Sequence, residues 1–153
     1  MIDVINLQRR VQIDLAEFKR FSKTLLRTIP EAIGKEASVA FVSDRRMIEL
    51  NKLFRGKDST TDVLSFPYEV EQFNASETPK GVTLTGVTLT FIGDIVISAE
   101  RAAKQAVENG LTLENEIKQL VLHGLLHLCG YDHENDNGEM NARELELRDK
   151  LGI

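Results

Sequence analysis

The chain has 153 residues, 42% hydrophobic and 28% charged, which is enough for one domain with a substantial core. A net charge of −5 gives no general attraction for nucleic acid, so an RNA contact has to rest on a local basic patch. A single cysteine excludes an internal disulfide, and with no membrane-length apolar run and no signal-peptide segment a cytoplasmic protein is expected, with no membrane partner.

In chain order, Ile2 to Leu7 reads as a short strand. Asp14 followed by Glu17 resembles a capping box. The stripe Leu15, Phe18, Ser22, Leu25 and Ile29 then predicts a helix closed by Pro30. Glu36 to Val42 is rich in Val and Phe and predicts a strand. Ser43 is placed to cap a helix that turns Met47, Leu50 and Phe54 inward and ends near Gly56. Between Asp44 and Lys57 stand five basic residues, Arg45, Arg46, Lys52, Arg55 and Lys57, against two acids. Arg45 and Arg46 read as a solvated helix face. Arg55 and Lys57 lie at the helix exit, where loops carry function.

Val63 to Phe66 predicts a strand that Pro67 ends or places at a sheet edge. Residues 69 to 80 are polar and read as a loop. A direct repeat follows, Gly-Val-Thr-Leu-Thr twice from Gly81 to Thr90, whose β-branched content reads as an edge strand or hairpin arm, with a mobile insertion as the alternative. Phe91 to Ile97 is the strongest strand signal, and Gly93 within it suggests close approach of another group. Asp94 beside it is either a surface residue or a group facing the pocket. Ser98 caps a helix with Ala99, Ala102, Ala103, Ala106 and Val107 inward, closed by Gly110. A helix starting at Thr112 carries the core stripe Ile117, Leu120, Val121, Gly124, Leu125 and Leu128, and its second half is apolar on nearly every side. Asp136 or Asn137 starts a last helix with Met140, Leu147 and Leu151 inward. This alternation predicts a single α+β domain over residues 1–153, a small mixed sheet of about four strands packed by helices, with a central buried helix.

All three histidines of the chain, His123, His127 and His133, fall on or just after that central helix. His123 and His127 are four apart and share a helix face. Gly130 stands where a left-handed cap lets the chain turn back and return His133 to the same point. Three imidazoles with an open fourth position are the ligand set of one catalytic zinc ion, with Zn–N distances of roughly 2.0–2.1 Å. Cys129 reads as a small buried hydrophobe and Met140 as a core residue.

The spacing is that of the metzincin proteases, H-E-x-x-H-x-x-G-x-x-H, except that Gly124 replaces the glutamate that acts as general base. A zinc hydrolase of amide or peptide bonds is therefore a rival reading that lacks its base. A non-catalytic ribosome-assembly factor with a structural zinc is another.

The stretch from His123 to His133, with Thr61-Asp62-Val63-Leu64-Ser65-Phe66-Pro67, Arg55 upstream and Gly93-Asp94-Ile95 downstream, closely resembles the YbeY family of metal-dependent endoribonucleases. The resemblance implies one zinc ion, cleavage of single-stranded RNA, and late ribosomal RNA processing (maturation of the 16S rRNA 3′ end) and ribosome quality control. Ribosomal RNA and ribosomal subunits would be the partners, and DNA would not. By its match to the family block, Arg55 is the catalytic candidate, its planar fork suited to charge gathering on a phosphate. Asp132 and Glu134 flank His133 and are candidates to orient an imidazole; Lys57 and Asp94 are candidates for substrate binding.

Overall fold

A helix that is apolar on almost every side has to be surrounded, and the helix from Leu113 to Leu128 is. The computed structural model describes residues 1–68 and 89–153, and the backbone of residues 83–84 and 87–88. The order is β1 (Ile2–Asn6), α1 (Leu15–Thr28), a 3-10 turn (Pro30–Ala32), β2 (Lys35–Val42), α2 (Asp44–Arg55), β3 (Val63–Pro67), β4 (Thr83–Leu84), β5 (Val87–Thr88), β6 (Thr90–Ser98), α3 (Ala99–Glu108), α4 (Leu113–Leu128) and α5 (Glu139–Leu151).

The main sheet has the order β1-β2-β6-β3. β1, β2 and β6 are parallel, and β3 closes one edge antiparallel to β6, with Val63 opposite Ile97 and Phe66 opposite Asp94. The sheet is therefore mixed and four-stranded, as the sequence predicts. α4 touches β3, β6, α1, α3 and α5. Because side chains alternate along a strand, Ile95 and Ile97 join the large core with Leu25, Phe41, Val121 and Leu125. Val96 turns the other way, into a smaller core with Val42, Met47 and Leu64 under α2.

Side-chain caps start α1, α2, α3 and α4 where the sequence places them: the oxygens of Asp14, Ser43, Ser98 and Thr112 each accept a backbone N–H three residues on. α5 starts differently. Gly138 is its N-cap, and Asp136 reaches past it to accept the N–H groups of Gly138 and Met140 at 2.9 Å each.

Three inward assignments and one strand assignment need correction. Phe54 is 60% exposed and rests edge-to-face on Phe66, while Asn51 takes the buried place one turn after Met47. Asn51 is there because its amide donates to the Ser59 carbonyl at 2.9 Å and so holds the loop before β3. Val107 is 83% exposed and Ala103 only half-buried, so α3 buries a narrower stripe, Ala99, Ala102 and Ala106. Among the described residues of the repeat, β4 and β5 pair with each other, Thr83 opposite Thr88, rather than with an edge of the main sheet. The polar stretch 69–80 lies outside the described residues.

Two glycines mark where backbones meet. A Cβ at Gly93, whose φ is +145°, would lie 2.2 Å from the Phe66 carbonyl oxygen and 2.8 Å from Leu128 Cδ2. A Cβ at Gly124 would lie 2.8 Å from Ile95 Cγ2. That methyl is fixed by the branch at Ile95 Cβ and has no room to swing away. Gly124→Ala should therefore lower stability by about 1–2 kcal/mol: the overpacking cost of roughly 1–3 kcal/mol exceeds the helix-propensity gain of about 1 kcal/mol. Urea unfolding of the variant measures the balance, and an unchanged midpoint would mean that α4 shifts freely on the sheet.

Candidate metal centre and cleft

The last turn of α4 ends in a Schellman motif: the Tyr131 N–H donates to the Leu126 carbonyl at 3.1 Å and the Gly130 N–H to the His127 carbonyl at 3.0 Å. Gly130 takes a φ of +102°, as the sequence requires of it. The reversal swings His133 back over the helix end, and its Nδ1 comes to 3.1 Å from His127 Nε2. Each of the three imidazoles offers one nitrogen to a group whose members all lie within 4.8 Å of one another.

The other nitrogens decide whether these rings suit a cation. His123 Nδ1 is 3.0 Å from Glu144 Oε2, and His127 Nδ1 is 2.9 Å from the Tyr131 carbonyl oxygen. A carbonyl only accepts, so His127 Nδ1 carries the proton and its Nε2 holds a free lone pair. A carboxylate behind His123 does the same for that ring. Ligands on a tetrahedral ion at about 2.0–2.1 Å stand roughly 3.3 Å apart, close to the His127–His133 separation. The residues present fit a divalent cation bound by nitrogen.

Electrostatics agrees. Burial, then the neighbouring His123, push the His127 pKa below its ordinary value, so the ring is a neutral ligand at pH 7. Burial drives the Glu144 carboxyl up, but hydrogen bonds from His123 and Arg148 outweigh it and leave the group below the usual range, ionised. Arg148 donates to the second Glu144 oxygen at 2.7 Å. Tyr131, whose carbonyl orients His127, is held from its other end. Its hydroxyl donates to Glu31 Oε1 at 3.0 Å, and Arg143 clasps both Glu31 oxygens at 2.9 and 3.0 Å.

The histidines form one wall of a cleft of about 600 Å³. Arg55 at the end of α2, Thr61 and Asp62 in the following loop, and Val63, Ser65 and Pro67 on the free edge of β3 line the rest. The loop is pinned at Asp44, whose carboxylate accepts from Ser98 at 3.0 Å and from Thr60. The Ser65 hydroxyl bridges β3 to α4 by donating to the Gly124 carbonyl at 3.4 Å.

The structure thus brings Arg55, His123, His127, His133, Asp132 and Glu134 to one cleft and leaves two candidates outside it. Lys57 is exposed beyond the helix exit and does not line the cleft. Asp94 is exposed on the side of β6 opposite Ile95, where it accepts from Ser38. Asp132 and Glu134 contact no imidazole. Asp132 shapes the turn instead, accepting from the Glu134 N–H at 3.1 Å and from Asn135 at 2.6 Å, contacts that lower its pKa. Cys129 stays out of the metal group: it is half-buried, with Sγ 3.8 Å from the Glu31 carbonyl, and burial raises its pKa. Met140 is fully buried in the core. Sequence reasoning missed Glu144. Its signal was there: Met140, Glu144, Leu147 and Leu151 make one helical stripe, and a carboxylate in such a stripe needs a partner.

Comparison with known proteins follows the same outline. The family model for endoribonuclease YbeY matches residues 3–152. The chain is 45% identical over 119 residues to an endoribonuclease YbeY of Nautilia profundicola, covering 78% of this chain and 74% of that protein. It is 36% identical over 160 residues to that of Macrococcus caseolyticus, covering 100% and 97%. The solution structure of a Thermotoga maritima protein superposes with a TM-score of 0.62 at 27% identity, covering 99% of this chain and 89% of that one. No helix among the described residues is long and apolar enough to cross a membrane.

Two outcomes are expected. Glu144→Gln keeps the shape but loses the charge behind His123, and should weaken zinc binding by about 10–100-fold in a chelator competition, with the fold retained by circular dichroism. The pH dependence has a definite sign. Unfolded, His127 titrates at its ordinary 6.5; folded, it titrates lower. The unfolded chain takes up more protons as pH falls below 6.5, so metal-free protein should lose thermal stability from there downward. Melts across that range, with His127→Gln as the flatter control, test it.

Proposed function

The chain belongs to the YbeY endoribonuclease family, and on that premise we propose that it cleaves single-stranded RNA at a zinc ion held by His123, His127 and His133. The observation that carries this is the facing of three converging imidazole nitrogens and one guanidinium, Arg55, across a single cleft. Bound there, zinc supplies an acidified water and a Lewis acid for a phosphoryl oxygen.

The residues do the rest. Glu144 and the Tyr131 carbonyl hold two imidazoles in the tautomer that leaves a lone pair facing the cleft. Arg55 has no carboxylate partner among the described residues, so its N–H fork is available to a phosphate. It would neutralise charge that builds on the non-bridging oxygens as the phosphodiester is attacked. Among the described residues β3 has no partner on its outer edge, which lets an unpaired strand lie across the cleft. In the cell we infer the substrate to be ribosomal RNA, with the 16S rRNA 3′ end and ribosome quality control as its setting, and the cytoplasm as its location.

The peptidase reading depends on a glutamate where Gly124 stands. That position packs on Ile95 rather than opening into the cleft, so a carboxylate there could not reach a water on the metal. Among the residues lining the cleft, Arg55 is the one best placed to meet a phosphate.

Arg55→Lys is the test. It keeps the charge, loses the planar fork, and should retain zinc and fold while lowering RNA cleavage by about 10²-fold. Metal analysis, a thermal melt and single-turnover cleavage on the one variant, with chelator-treated wild type alongside, check this. Unchanged turnover would remove Arg55 from the machinery, and full activity in chelator would remove the metal.

A further inference from the structure

We propose that Phe54 and Phe66 form a stacking platform for a base of the RNA strand, flanking the cleft beyond Arg55. This rests on the endoribonuclease reading and adds a binding subsite to it. Phe54 is 60% exposed although it sits in the last turn of α2, directly before the cleft residue Arg55. Its ring meets Phe66 edge-to-face, with centroids 5.0 Å apart at 67°. Phe66 lies on β3 between Ser65 and Pro67, both of which line the cleft. Side chains alternate along β3, so Phe66 lies on the α2 side of the sheet, partly buried on the small core of Met47 and Leu64, and Phe54 extends that aromatic surface outward to solvent past the cleft's edge.

Charge identifies the occupant as a polyanion. Lys52, Arg55 and Lys57 surround this end of α2, all exposed and none with a carboxylate partner among the described residues. At the other end of the same helix Arg45 and Arg46 are both matched to Glu49. An acidic chain that leaves three cations unmatched among the described residues, beside the exposed Phe54 ring, has the two components of a single-strand site, a basic track and a π-face. An apolar protein partner would not call for the unmatched cations.

Phe54→Leu removes the π-face and keeps apolar bulk, and at 60% exposure it should leave the melting temperature nearly unchanged. Two readouts apply to the full-length zinc-loaded protein. First, oligoribonucleotides carrying 2-aminopurine beside the cleavable position should be quenched on binding to wild type, and Phe54→Leu should lose that quenching while Phe54→Trp restores it. Second, KM for a ten-nucleotide single strand should rise roughly tenfold in Phe54→Leu with kcat unchanged, and a dinucleotide substrate should show no difference. Equal quenching and equal KM in Phe54→Leu would overturn the platform, including the case where the patch serves a protein contact. Quenching that depends on Phe54 in a protein that cleaves no RNA would uphold the platform and overturn the endoribonuclease reading instead.

Discussion

The close approach of α4 to the sheet at Gly124 fixes the rest of the arrangement. With only a hydrogen at that position, the helix backbone comes down onto Ile95, and Leu122, Leu125 and Leu126 are driven into full burial around it. The face that remains carries His123 and His127, and it points past the free edge of β3 into the cleft. A histidine pair on a mobile surface helix would sample many geometries. Here the pair is carried by the most enclosed element of the fold, so the positions of two nitrogens are set by core packing. The third nitrogen follows from the helix end, because the Schellman turn at Gly130 is the shortest route by which the chain comes back to where it left.

A second constraint works from behind the rings. Glu144 is nearly buried, and a carboxylate in that place is tolerable only because His123 and Arg148 both donate to it. Glu31 does the corresponding work for His127 at one remove, through Arg143 and the hydroxyl of Tyr131. The two imidazoles are thus aimed by two separate acid–arginine pairs, one within α5 and one joining α5 to the turn before β2. α5 is needed by the site although it contributes no ligand.

How much of this was legible in the sequence depended on how local the signal was. The caps of the first four helices, the left-handed Gly130, the convergence of the three histidines and the four-stranded mixed sheet agree with the spacing in the sequence, whereas the last helix is capped by Gly138 rather than by Asp136 or Asn137. Phe54 was misplaced because periodicity ranks a phenylalanine above an asparagine for burial, whereas the loop after α2 required the Asn51 amide inside. Val107 was misplaced for the same reason, since α3 packs through a narrow alanine stripe. The orienting carboxylate was sought next to His133, where Asp132 and Glu134 are near in sequence, but it comes from Glu144, 21 residues from His123 along the chain. Only the packing of α5 on α4 makes that pair visible, and periodicity within one helix cannot.

The comparison of Gly124 with Glu144 carries the argument from ligands to reaction class. In a metzincin spacing, the acid beside the first histidine stands on the open side of the metal, where it takes a proton from water. In this chain that position holds no side chain and is filled from the sheet by Ile95. The carboxylate associated with the first histidine is instead on the far side of its ring, at Nδ1. There it raises the basicity of the ligand and fixes its orientation, and it has no line to the reacting atoms. An amide demands help from a general base and acid because its nitrogen is a poor leaving group. A phosphodiester demands above all that negative charge be met as it gathers on oxygen. A cleft that places a guanidinium opposite three converging imidazoles, with its carboxylate behind the first of those rings, matches the second demand and leaves the first unmet.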